Sequence, residues 1–437
     1  HGVSYLISNR TFIGIYLVEV VSFSTFLYTS YKTVTLFTDK KKALLAIALL
    51  GIGILNAPAI SLGDSAEELS LPLFAMGLYI LLRYFKRGYP KAIPMGAATL
   101  AGVLAGCTMW IKYSLLGFWF GWMLMLFVAM LYRKHVKEAF GACFVFLGGM
   151  LLASVPWIIY FGVNNALYEM VDVYFLINAK YYPSEYSLGM RLPVAIWYFL
   201  KHSLINASFA IFTGVGIYQL MKGKMQIGRM GGLTILACMG FLALGVFGGG
   251  REYIYYYFIF APFAVLGMPC ICELKLIDRL REKVKIKSKW LKLAAMAASA
   301  FVLTLAVNVN TYTFFGTKRE SMAQYSFAKV IEQTPNATLL NYGYLDYGFY
   351  TTTGIVPNVR YFENQNIPYE AYPYIMDGQN GYLREKAVDY VVIRIPYGED
   401  AYKAADEVLY ENYELIMRQK QRYRLNDYEF LLFQVRK

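Results

Sequence analysis

Up to about residue 308 the chain alternates long apolar runs with short polar clusters. Runs of about 18 or more apolar residues predict membrane helices, because a bilayer core of about 30 Å takes roughly 20 helical residues. Such runs lie at 11–35, 43–58, 69–86, 94–111, 114–132, 138–161, 203–221, 231–248, 253–272 and 290–308. They predict about ten spans. After residue 309 the pattern changes to proline, asparagine and glycine turns between short β-type runs: "ATLLNYG" (337–343), "VDYVVIRI" (388–395) and "YEFLLFQV" (428–435). Between the last two, "EDAYKAADEVLYENY" (399–413) has helical spacing. The predicted fold is a polytopic α-helical membrane protein with a C-terminal extracytoplasmic α/β domain. The expected domains are 1–308 and 309–437.

The polar clusters predict sidedness. Lys40–Lys42, the group from Arg83 to Lys91, Arg133–Lys137, Lys222–Arg229 and the run 275–289 each follow an odd-numbered span. Cytoplasmic loops carry an excess of lysine and arginine, which puts all five inside. The stretch 61–72, the loop 162–202, the turn 249–252 and the tail then lie outside. So does the amino terminus, and a chain that begins His1-Gly2 is expected to lack an upstream cytoplasmic start, a first span and most of a first outer loop. Within 162–202, "YSLGMRLPVAIWYFLKHSL" (186–204) reads as an amphipathic helix in the outer interface, or as a tilted extension of the next span.

Composition narrows the classes. The chain is 57% hydrophobic and 16% charged, too apolar for a soluble two-domain protein. Its net charge of +13 resides in the inter-span clusters, so no nucleic-acid partner is expected. Cys107, Cys143, Cys238, Cys270 and Cys272 lie in or at the ends of apolar runs, without zinc spacing. With three histidines in all, a histidine metal or acid–base centre is not expected, and no nucleotide-binding loop or hydrolase motif occurs in context.

Three outer stretches carry candidate chemistry. "SLGDSAEELSLP" (61–72) places Asp64, Glu67 and Glu68 at a span boundary. A capping box fits from Asp64 to Glu67 and, one residue on, from Ser65 to Glu68. A cap accounts for one or two acids, and a third points to function. Lys112 in "MWIKYSLLGFW" either snorkels to the interface or awaits an anionic head-group. In "GGGREYIYYYFIFAPF" (248–263), Arg251 is the single cation beside three glycines and four tyrosines. An arginine forks onto phosphate with two hydrogen bonds, while the alternative is an Arg251–Glu252 surface turn in a tyrosine belt.

Taken in order and on one side, "GDSAEELSLP", "AGCTMWIKYSLLGFW" and "GGGREYIYYYFIFAPF" resemble the outer loops of the GT-C class of multi-spanning glycosyltransferases. It is similar in particular to the bacterial relatives of the protein O-mannosyltransferases and the lipid A aminoarabinose transferase. That resemblance implies a plasma-membrane enzyme that moves a sugar from a polyprenyl-phosphate-linked donor to an envelope glycan, lipid or protein acceptor. It implies Asp64, Glu67 and Glu68 as catalytic acids, and Lys112, Arg251 and Tyr256 as donor-phosphate ligands. A divalent ion on the three acids is left open, and the principal base is expected upstream of His1. Two other classes fit the spans and cations: a lipid-linked sugar transporter or flippase, and a non-enzymatic envelope assembly protein.

Overall fold

The computed structural model describes residues 2–181, 186–274, 288, 290, 317–365, 367–399, 407–423 and 426–436. The predicted tenth span beyond residue 290, nearly all of the basic run 275–289, Tyr182, and 400–406 of the predicted tail helix lie outside the described residues. In chain order the helices are α1 (Gly2–Ile7), α2 (Ile13–Val34), α3 (Lys40–Leu55), α4 (Ala66–Lys86), α5 (Met95–Ile111) and α6 (Leu116–Tyr132). There follow α7 (Val136–Val163), α8 (Leu167–Val171), α9 (Ile177–Tyr181), α10 (Leu188–Ile205), α11 (Ala207–Met221), α12 (Gly228–Phe247) and the composite α13 (Ile254–Cys272). Among the described residues six helices are long and apolar enough to cross a membrane: α2, α4, α6 with its preceding turn, α7, α12 and α13. The bent pair α10–α11 would make a seventh. This is a helical membrane protein.

Two compact units divide the chain. One takes Glu19–Val171 and Ser184–Val309, the other His1–Val18, Asp172–Pro183 and Asn310–Lys437. A single cut at 308/309 therefore does not describe it. Local contacts account for the two added segments: Arg10 pairs with Glu332 at 3.2 Å, and Tyr181 packs its ring on Tyr372.

In the helical unit, backbones approach closely where side chains are smallest. A Cβ on Gly102 would collide with the Phe146 carbonyl, and one on Gly149 with the Thr99 carbonyl, so α5 and α7 lie backbone to backbone. Gly117 and Gly245 do the same for α6 and α12. Small residues four apart are the usual device for this, since lipid offers no hydrophobic drive between helices and van der Waals contact must supply it. Around these seams sit buried aromatics with their polar tips satisfied: Trp119 Nε1 donates to Thr108 Oγ1 at 2.9 Å and Trp122 Nε1 to the Gly77 carbonyl at 3.0 Å. These bonds tie α6 to α5 and α4.

Between α10 and α11 the chain bends by 118° at Asn206. The stretch 186–204 is thus a helix set off from α11 by that bend and does not continue it in a straight line. Asn206 is fully buried, donates Nδ2 to the His202 carbonyl, and accepts the Ala59 amide at 2.8 Å.

The tail unit is an α/β sandwich. Its sheet runs β1 (Leu339–Asn341), β2 (Tyr390–Pro396), β4 (Asn426–Val435), β3 (Tyr413–Tyr423), with β1 parallel to β2 and the other pairs antiparallel. Period-2 alternation splits each strand between two cores. Val391, Ile393, Leu431 and Phe433 meet Leu383 and Leu409, from helices α16 (Tyr374–Arg384) and α17 (Glu407–Asn412). Tyr390, Val392, Phe430 and Leu432 meet Phe327 and Ile331 of α14 (Ala323–Ile331) and Phe349 of α15 (Phe349–Thr353). The three predicted strands are present. The eleven-residue β3 lies where only a helix end was expected.

Gly102→Ala should destabilise the helical unit by about 1–3 kcal/mol through overpacking against α7. Gly148→Ala, whose added methyl meets nothing within 4 Å, should leave stability unchanged or raise it slightly. Thermal unfolding of the two variants in the same detergent measures the difference.

Candidate functional site

Ser65 is the N-cap of α4, and its hydroxyl accepts the Glu68 amide at 3.1 Å. The capping box thus takes the second of the two sequence registers, Ser65 to Glu68, and the Glu68 carboxylate lies against the Asp64 and Ser65 amides. Asp64 is displaced from the cap. It follows Gly63 (φ 62°) at φ 44°, in the left-handed region that aspartate tolerates better than most residues. Its amide is received by Glu19 Oε1 at 2.5 Å. Burial pushes the Asp64 carboxyl above its ordinary range.

Glu67, on the adjacent position of α4, turns elsewhere. Its carboxylate is fully buried and meets Lys112 Nζ at 2.5 Å. Lys112 is the extended residue where α5 ends and the turn into α6 begins. Its ammonium also stands 3.8 Å from the Tyr256 ring centroid and 5.7 Å from that of Tyr255. A buried carboxylate facing an ammonium on an aromatic face is a low-dielectric arrangement in which each charge relieves the other's desolvation. Arg251 lies within electrostatic range of Tyr113 and Tyr256, and Glu67 within that of Tyr256.

The six residues singled out in the sequence, Asp64, Glu67, Glu68, Lys112, Arg251 and Tyr256, therefore form one connected constellation at the ends of α4, α5 and α13. Lys112 occupies the Glu67 carboxylate, which is more than snorkelling would give it. Glu67 Oε2 and Glu68 Oε2 are both buried without a hydrogen-bond partner. Leaving such an oxygen unpaired costs about 1–3 kcal/mol or more, so each is a standing acceptor for a ligand's donor. The three acids do not assemble as a metal site: Glu67 faces Lys112 while Glu68 faces the helix start. Among the described residues no three His, Cys, Asp or Glu side chains are disposed to hold a metal ion.

Two parts of the constellation were missed in the sequence. Glu19 is one, a single acid inside the apolar run of α2, and that isolation was the available signal. The other is Glu252, whose Oε1 stands 2.6 Å from Lys201 Nζ and 3.2 Å from His202 Nε2. His202 is buried and stacked on Phe247, so the turn bearing Arg251 is anchored to α10 and α12. The Arg251–Glu252 turn lies at the surface, with Glu252 exposed, and its acid is paired to α10. Acids in the tail unit have structural partners: Asp346 accepts the Asn341 amide group and the Phe349 amide, and Glu363 accepts the Asp346 amide. Burial pushes both carboxyls up.

Lys112→Met should cost about 3 kcal/mol of stability, because it leaves Glu67 charged and buried alone. Adding Glu67→Gln should recover most of that loss. A double-mutant cycle by thermal unfolding in detergent reads the coupling.

No known protein-family model matches this chain, and no curated protein matches it.

Proposed function

We propose that the protein is a membrane glycosyltransferase that moves a sugar from a polyprenyl-phosphate-linked donor to an envelope acceptor on the extracytoplasmic side. The observation that carries this reading is the pair of partnerless carboxylate oxygens, on Glu67 and Glu68, beside a cationic and tyrosine-rich corner. A sugar supplies hydroxyl donors for such oxygens, and a phosphodiester supplies the anion that Lys112 and Arg251 suit. Unpaired carboxylate oxygens and cations side by side in one constellation match the sugar and the phosphate of a lipid-phosphate sugar.

On this reading the acceptor oxygen attacks the anomeric carbon as the carbon–phosphate-oxygen bond breaks, through an oxocarbenium-like state. Lys112, with three N–H donors, keeps one on Glu67 and offers another to the departing phosphate. Arg251 adds a second cation to the same oxygens. Tyr256 lines the corner, and the acids hold the acceptor's hydroxyls. The basic loop clusters support placing the site and the tail outside. The nine described helical runs that coincide with predicted spans support a count near ten.

A transporter of the same lipid-linked sugar is the second reading, favoured by one observation: the broken helix pair α10–α11. Broken helices in transporters flank sites near the bilayer midplane, whereas Glu67, Glu68, Lys112 and Arg251 sit at helix ends. The full chain in phosphatidylethanolamine–phosphatidylglycerol vesicles, given undecaprenyl-phosphate hexoses, should release undecaprenyl phosphate as water takes the sugar in place of the envelope acceptor. Glu67→Gln/Glu68→Gln should slow release by about 10²-fold or more. Intact donor crossing the bilayer would support transport, and bound donor that neither crosses nor breaks would support an assembly role.

A further inference from the structure

Each carboxylate at the start of α4 differs in what its oxygens already hold. Glu67 is fully buried and bonded to an ammonium, which competes for its lone pairs. Glu68 is 6% exposed and folded back on the helix start, with Oε2 buried and unpartnered. Asp64 sits in a left-handed turn and donates its amide to Glu19 Oε1. Glu19 differs from all three. It is partly exposed, and its recorded hydrogen bond is the one from the Asp64 amide. Among the described residues it has no ion pair. Glu68 and Asp64 are its electrostatic neighbours.

A general base needs an oxygen that the reacting hydroxyl can reach and no fixed cation that competes for its lone pairs. It also needs a fixed orientation. The Asp64 amide supplies that on one oxygen and leaves the other open. Above it, the Ser22 hydroxyl donates to the Glu68 carbonyl at 3.4 Å, which holds α2 against the first turn of α4. The buried, partnerless Glu68 Oε2 lies in the same acidic group and provides an acceptor for a second hydroxyl of the same ligand.

We infer that Glu19 is the proton acceptor of the site, placed by the Asp64 amide to take the proton from the acceptor hydroxyl. This rests on the transferase reading above. The acceptor's O–H bond breaks with its proton going to Glu19, and its oxygen forms the bond to the anomeric carbon. The anomeric carbon–oxygen bond breaks with its electron pair leaving on polyprenyl phosphate, and Glu19 later returns the proton to water. Glu67 and Glu68 then act as ligand-binding and positioning groups, and Asp64 as the residue that orients the base.

The test uses the full chain in the same vesicles, with undecaprenyl-phosphate hexoses as donors. Release of undecaprenyl phosphate is followed from about pH 5 to 9. Glu19→Gln should cut turnover by about 10²-fold or more and remove the acid limb of the pH profile. Binding of undecaprenyl phosphate, read by tryptophan fluorescence, should stay within about twofold of the parent. Glu19→Ala should regain turnover with added formate, which a purely structural role would not allow. Wild-type turnover and pH profile in Glu19→Gln would overturn the assignment while leaving the transferase reading intact. An inert parent chain with every donor would sink that reading and this one together. If Glu19→Gln does not fold, Glu19→Asp decides: an unshifted profile at full rate counts against a base at this position.

Discussion

The buried pair between Glu67 and Lys112 is the constraint around which the helical unit is arranged. A fully buried carboxylate pays several kcal/mol in desolvation, and the 2.5 Å contact with an ammonium offsets that only while both partners hold their places. Glu67 belongs to the first turn of α4, and Lys112 to the break after α5. The rings of Tyr255 and Tyr256 that flank the ammonium open α13. Three helix ends far apart in sequence are thereby drawn to one point. The capping box at Ser65, the extended backbone at Lys112 and the Glu252 anchor on α10 all fix the termini that this point requires.

Rigidity below that point comes from packing of another kind. Gly102 and Gly149 bring α5 and α7 into backbone contact, and Gly117 and Gly245 do so for α6 and α12. The Trp119 and Trp122 indoles then lock α6 onto α5 and α4 by hydrogen bonds made inside the apolar core. Helix ends carried on such seams have little freedom to shift, so polar groups there keep their distances without a dense polar network of their own.

Much of this was legible in the residues, because hydrocarbon length and loop charge are one-dimensional signals. Nine apolar runs coincide with nine helices, and three alternating runs with three strands. What was not legible depended on partners distant in sequence. Strand β3, "YELIMRQKQRY", is polar on alternate residues and lies at the sheet edge, where exposure removes the apolar signal. The register of the capping box turned on whether Asp64 or Ser65 held the helical start, and both fit the same letters. Glu19 is one acid within the apolar run of α2, and only the Asp64 amide on its carboxylate ties it to the site. The bend at Asn206 has no proline or glycine to announce it. The partner of Asn206 is the Ala59 amide, 147 residues away in the chain.

Charge also constrains how any ligand lies in the site. Glu19, Asp64, Glu67, Glu68 and Glu252 stand against Lys112, Arg251 and Lys201, so acids outnumber cations among these groups. An anionic lipid phosphate entering such a region is repelled by most of it and attracted at one corner, where Lys112 and Arg251 share the tyrosine cluster. A neutral, hydroxylated group meets the converse: carboxylate oxygens lacking donors, which a hydroxyl satisfies and a phosphate does not. On the transferase reading, a phosphate-linked sugar sets its phosphate on the Lys112–Arg251 corner and its hydroxyls on the unpaired carboxylate oxygens. On that reading, Glu19 belongs to the acidic group with Asp64 and Glu68, while Lys112 and Arg251 gather at the tyrosines. An acceptor oxygen would meet its base in the first group as the leaving phosphate is held by the second.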